Sequence, residues 1–184
     1  MKKTLRLTVL SLALIVGFAT GVQGAQQQRA QTSELEYCLA ECYASLGREG
    51  AEILGECKAG CWHSEAVRTK NPDKCDILFQ EENYGGEGAY QNCVSDVASV
   101  VGDYKICRRI ADLAWRDNCL ARLATETGNV AICMEIQTRA PGDMRTQCHY
   151  GVALSWKRPE ICDYIESKDV RDNCRRVVGG LPRN

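Results

Sequence analysis

Twelve cysteines and two histidines are the residues of this chain whose types could do chemistry. Clustered thiolates hold soft metals, a reactive Cys-x2-Cys exchanges disulfides, and paired cysteines in an oxidising compartment become crosslinks. Spacing separates these possibilities. Cys38, Cys42, Cys57 and Cys61 form Cys-x3-Cys twice, with 14 residues between the two pairs. The other eight are widely spaced, and no Cys-x2-Cys zinc knuckle or Cys-x2-Cys-His haem sequence occurs. Thiolates at i, i+4 would hold Cu(I) if the chain stayed reduced, so a copper carrier is the sharpest alternative use of these residues. The histidines, His63 and His149, stand beside cysteines and read as ordinary half-buried or surface residues. The expectation is a set of disulfides, with no metal ligand and no cofactor.

The elements that must position the cysteines repeat four times. The first cysteines are Cys75, Cys107, Cys133 and Cys162, followed at +3 by Leu78, Ile110, Ile136 and Ile165. The second cysteines are Cys93, Cys119, Cys148 and Cys174, each preceded by Asn or Gln. They are followed at +4 by Val97, Leu123, Val152 and Val178, and at +5 by Ala98, Ala124, Ala153 and Gly179. From second cysteine to next first cysteine is always 14 (93 to 107, 119 to 133, 148 to 162), whereas the distance within a unit is 18, 12, 15 or 12. Constant joints with variable loops mark a tandem repeat.

Each unit opens four residues before its first cysteine with Asn71, Asp103, Asn129 or Arg158, three of them good N-caps. Pro72 and Pro159 follow two of these, and Gly102 and Gly128 precede the other two as helix terminators. The pattern predicts a short helix, a loop and a second helix folded into a hairpin. The two cysteines lie about equally far from the loop, which pairs Cys75–Cys93, Cys107–Cys119, Cys133–Cys148 and Cys162–Cys174. The fixed 14 also permits each second cysteine to join the next first one. That scheme leaves odd cysteines at the ends, although Cys61 to Cys75 is 14 again, and spacing alone leaves both open. Arg145, Asp117 with Arg116, and Asp172 with Arg171 are expected to bridge and cap between neighbouring units.

In the N-terminal segment, i, i+4 spacing puts both cysteines of a pair on one helical face, too poorly directed to bond each other. Two such helices folded back antiparallel pair Cys38 with Cys61 and Cys42 with Cys57. Ser45-Leu46-Gly47 is the expected turn. The twin Cys-x3-Cys hairpin resembles the module of plant α-hairpinins and of the small chaperones of the mitochondrial intermembrane space. The resemblance covers about 25 residues and rests on cysteine spacing. It implies a helical hairpin closed outer to outer and inner to inner, and implies no single function.

A basic start (Lys2, Lys3, Arg6), an apolar run from Leu7 to Phe18 and small residues before Ala25 describe a secretory signal peptide over 1–24. The apolar run is about 12 residues, short of the roughly 20 that span a bilayer. Residues 25–36 read as a flexible leader, 37–66 as the twin-cysteine hairpin, 71–179 as the four repeats and 180–184 as a tail. Without residues 1–24 the chain has 20 Lys+Arg and 24 Asp+Glu, and this acidic balance argues against nucleic acid as a partner. Dense, even cysteines in an exported chain point to the periplasm or outside the cell.

Hydrolytic signatures Gly-x-Ser-x-Gly and His-Glu-x2-His are missing, and Gly85-Gly86-Glu87-Gly88 lacks the Lys-Ser/Thr of a phosphate loop. An enzyme is not expected. Trp62, Trp115 and Trp156, with Tyr84, Tyr90, Tyr104, Tyr150 and Tyr164, offer contact surface, although filling gaps between units is the favoured role. The fold expected is all-α, disulfide-stapled helical hairpins stacked as a short α-solenoid. The function expected is a non-catalytic protein- or peptide-binding module or scaffold with no stable membrane span. A copper carrier, or a small exported chaperone or inhibitor, is the alternative.

Overall fold

The computed structural model describes residues 34–44, 51–81, 84–138 and 143–180. The signal segment, the Ser45–Gly47 turn and residues 181–184 lie outside these. Every described element is helical and no strand occurs among them, so the fold is all-α and disulfide-rich. The chain divides into two compact units, Met1–Cys61 and Trp62–Asn184.

The first unit holds helix α1 (34–44) and the start of α2 (Ala51–Thr69). Cys38 bonds Cys61 and Cys42 bonds Cys57, with Cα atoms 5.8 Å apart in each pair, as two antiparallel helices require. Residues 34–36, assigned to the leader from sequence, are instead the first turn of α1. Glu34 and Glu36 there suit the positive end of the helix dipole, and Tyr37 donates one turn on to Glu41 Oε1 at 2.7 Å. Lys58 Nζ stands 4.3 Å from the centre of the Tyr43 ring.

In the second unit each repeat is a tight 3-10 segment followed by an α-helix. The 3-10 segments are Pro72–Cys75, Tyr104–Arg109, Val130–Glu135 and Pro159–Tyr164. The helices after them are α4 (Gly86–Val101), α5 (Leu113–Thr127), α6 (Met144–Ser155) and α7 (Lys168–Val178). Among the described residues, the first repeat alone adds a short α3 (Asp76–Gln80). The short helix expected at the head of each repeat takes the 3-10 form. Three residues per turn bring Cys and the aliphatic residue at +3 onto one edge, and both are buried in all four repeats. Ile110, Ile136 and Ile165 close the last turn by donating their N–H to the carbonyl of Cys107, Cys133 and Cys162.

Asn71, Asp103 and Asn129 cap these segments, each accepting the N–H two residues on, while Arg158 makes no side-chain cap. Just before each cap the backbone turns left-handed, at Lys70 (φ 54°), Gly102 (φ 76°), Gly128 (φ 69°) and Lys157 (φ 52°). The N–H groups of Asn71 and Arg158 then reach back to Ala66 and Ala153, both at 2.9 Å, the six-to-one bond that ends a helix. Ala66, Ala98, Ala124 and Ala153 are fully buried at the equivalent place. Cys61 therefore stands to its joint as the second cysteines of the repeats stand to theirs.

The repeats join Cys75–Cys93, Cys107–Cys119, Cys133–Cys148 and Cys162–Cys174, each within its own unit. Closing loops of this length contributes on the order of 3 kcal/mol each, which matters for helices this short. Successive helices α4, α5, α6 and α7 pack each on the next, with a 3-10 segment against the helix before and the helix after it. The charged residues ahead of the second cysteines divide their roles. Arg145 and Arg171 donate to the carbonyls of Ile136 and Ile165, so both cap inside their own repeat. Asp172 pairs with Lys168 on the same helix, at 2.6 Å. Asp117 does cross between units. Buried on α5, it accepts from the N–H groups of Gln137 (3.2 Å) and Thr138 (3.1 Å) and from Thr138 Oγ1 (2.7 Å).

Candidate functional site

All twelve cysteines are crosslinked, and no thiol is free for nucleophilic, redox or metal chemistry. The sulfurs of Cys38, Cys42 and Cys61 lie within 4.8 Å of one another, close enough to share an ion as thiolates. They are held in two disulfides instead, with Cys42 Sγ 3.6 Å from Cys61 Sγ. Six disulfides describe an oxidised protein. No helix among the described residues is long and apolar enough to cross a membrane.

Among the described residues, a cleft of about 280 Å³ lies between the first repeat and the 3-10 segment of the second. Its apolar wall is Phe79 of α3 against Tyr90 of α4, ring centres 5.9 Å apart and tilted by 59°. Tyr90 is fixed by donating its hydroxyl to the Arg109 carbonyl at 3.2 Å. Phe79 follows the buried Leu78 on a five-residue helix, so it points away from the core and stays 62% exposed.

The polar wall is Asp76, Glu87, Gln91 and Arg109. The Arg109 guanidinium bonds Asp73 at 2.5 Å and both oxygens of Asp76 at 3.1 Å. Burial alone would lower its pKa, but hydrogen bonds to Asp73, Tyr90 and Asp76 outweigh this and raise it above the usual arginine value. Arg109 is thus a permanent cation engaged by two carboxylates. Gln91, buried, donates Nε2 to Glu87 Oε1 at 3.0 Å and holds that carboxylate at the rim. Among the described residues the lining contains no imidazole, thiol, aliphatic hydroxyl or amine.

Comparison with known protein families, with curated proteins and with solved structures finds no match to this chain. The site must speak for itself.

Of the aromatics singled out in the sequence, only Tyr90 lines the cleft. Trp156 bridges repeats, covering Gly128 and donating Nε1–H to the Thr125 carbonyl at 2.8 Å. Tyr164 stacks on His149 at 5.5 Å, and Tyr104 stands beside Arg108. Trp115 is 38% exposed at the start of α5, and Tyr150 accepts from Asn173. Trp62 and Tyr84 are half-buried. Glu34, Glu36 and Glu81 are exposed, and Glu82 lies outside the described residues. Gly86 to Gly88, read as a loop, are the first turn of α4, entered through the left-handed Gly85.

The histidines differ from each other. His63 is half-buried and bonds Asp96 at 2.8 Å. His149, expected half-buried or at the surface, is fully buried with Nε2 unbonded, and burial lowers its pKa, helped by Arg145 and opposed by Asp143. The sequence reading missed Phe79, Asp76, Glu87 and Arg109. The one available signal was Phe79, the only phenylalanine beyond residue 24, set between Leu78 and Gln80.

Proposed function

We propose that this chain is an exported, non-catalytic, disulfide-stapled helical-repeat module that binds another protein through an extended segment of it, in the periplasm or outside the cell. The observation that carries this is the cleft at Phe79: an exposed aromatic set against Tyr90 on a crosslinked frame, with fixed polar groups around it. Ordered aromatics on rigid supports lose little entropy on contact and concentrate binding energy. The packing of α4 to α7 in chain order supports reading the second unit as a short solenoid, an architecture whose function lies in its surface.

The test is selection of peptides from a random displayed library on the mature, oxidised protein, with Phe79→Ser as counter-target. Peptides that bind the parent and lose about tenfold or more on the variant support the reading. Enrichment that ignores Phe79, or none, overturns it. A copper carrier would need thiolates at Cys38, Cys42, Cys57 and Cys61. Alkylation without reductant, followed by native mass measurement, separates the two: label or bound metal at these residues favours the carrier.

A further inference from the structure

The charges around the cleft narrow what it takes. Asp76 and Glu87 line it and Asp73 stands beside it, against the single guanidinium of Arg109. Three carboxylates and one cation leave a net negative rim. Arg109 is already engaged by Asp73 and Asp76, so its single charge is outweighed and an incoming carboxylate meets a net negative field. Phe79 and Tyr90 supply an apolar wall beside these acids. A volume of about 280 Å³ lies at the lower end for ligand pockets, enough for one long side chain.

We propose that the cleft receives a lysine or arginine side chain of the partner's extended segment. Its methylene stem lies along Phe79 and Tyr90, and its cationic head reaches Asp76 and Glu87. Long basic side chains bury their stems on apolar surface while the head seeks polar company, and aromatic faces attract cations. An apolar side chain of equal length fills the wall and leaves the net negative charge of the rim unbalanced. An acidic one is repelled. This inference rests on the binding-module reading and names the class of group that the module selects.

The test uses the mature, oxidised protein and four acetylated, amidated peptides, Gly-Ala-X-Ala-Gly, where X is lysine, arginine, norleucine or glutamate. Binding is followed by amide chemical shifts. Lysine and arginine peptides are expected to move the amides of α3 and the first turns of α4 and to bind about tenfold tighter than norleucine, with glutamate weakest. Glu87→Gln keeps an acceptor for Gln91 and is expected to weaken the lysine peptide several-fold while leaving norleucine unchanged. Equal binding of lysine and norleucine, or a lysine affinity untouched by Glu87→Gln, overturns the inference. Selected peptides that depend on Phe79 but carry no basic residue also overturn it, and leave the module reading standing. If no peptide depends on Phe79, the module reading itself fails.

Discussion

The indole ring of Trp156 lies so close over Gly128 that a Cβ there would sit 2.7 Å from it. The ring follows α6 in the third repeat, whereas Gly128 ends α5 in the second, so one contact locks two units. It also fixes the glycine twice over, by its neighbour and by its left-handed backbone (φ 69°).

Gly128→Ala is therefore expected to cost more than Gly102→Ala. Gly102 has a similar φ of 76° with nothing within 4 Å, so it bears the backbone penalty alone, about 1–2 kcal/mol. Displacing the anchored ring adds about 1–3 kcal/mol at Gly128. Urea unfolding of both variants, with Trp156→Ala as a second change, measures the difference. Equal costs would mean that the ring yields freely.

Glu65 occupies the position, four residues after Cys61, where the repeats carry Val97, Leu123 and Val152. It is buried and bonds Lys74 at 2.5 Å together with Arg68. Removing one partner of a buried pair strands the other, whereas an aliphatic replacement can be neutral. Because Lys74 and Arg68 are each about a third exposed, Glu65→Ala is expected to cost only about 1–3 kcal/mol. Glu65→Val should recover most of that. Paired unfolding curves decide, and a valine no better than alanine would contradict the equivalence of the joints.

The same carboxylate sets an acid limit. Burial pushes its pKa up, but bonds and charges from Lys74 and Arg68 win and hold it below the usual range. A group with a lowered folded pKa stabilises above its unfolded value, near 4.3, and this contribution is lost as pH falls through the folded pKa. Stability of the parent should therefore drop below about pH 4 more steeply than that of Glu65→Val.

His149 acts in a higher window. Its folded pKa is lowered, so the unfolded chain binds the proton first, below about 6.5, and stability falls as pH drops from there. The slope reaches about 1.4 kcal/mol per pH unit for one such group. His149→Phe keeps a ring beside Tyr164 and removes the unbonded Nε2. Unfolding at pH 7.5 and pH 5.5 should show a smaller difference for the variant, and an unchanged difference would place the acid sensitivity elsewhere.

Cys107→Ala with Cys119→Ala removes one 12-residue closure, worth on the order of 3 kcal/mol. In a chain whose neighbours in sequence are neighbours in space, amide exchange should rise most over 104–127, and least in α7. A uniform rise across the second unit would show that it unfolds as one block.

The helical class was legible because cysteine at i, i+4 and aliphatic residues at +3 and +4 repeat against fixed punctuation. Asn71, Asp103 and Gly102 announced the joints by type. Lys70 and Lys157 did not, since lysine rarely takes a positive φ. The 3-10 form of the first segments was hidden as well, because Cys and Ile three apart serve either helix. The burial of His149 and the reach of Asp117 into Thr138 depend on neighbours brought in by packing. The cleft was least legible. Arg109 meets Asp76 across 33 residues of chain, and the short α3 that turns Phe79 outward belongs to one repeat only.

A left-handed residue makes each joint a backbone clasp of set length, closed at Asn71 and Arg158 by a six-to-one bond. An insertion there would break the clasp, whereas one at a loop tip only lengthens a closure already spanning 12 to 18 residues. The repeats of this chain accordingly differ in length at the tips and not at the joints. The longest of these closures, Cys75 to Cys93, is also the one that holds α3 and with it Phe79. Variety enters this architecture through its slack.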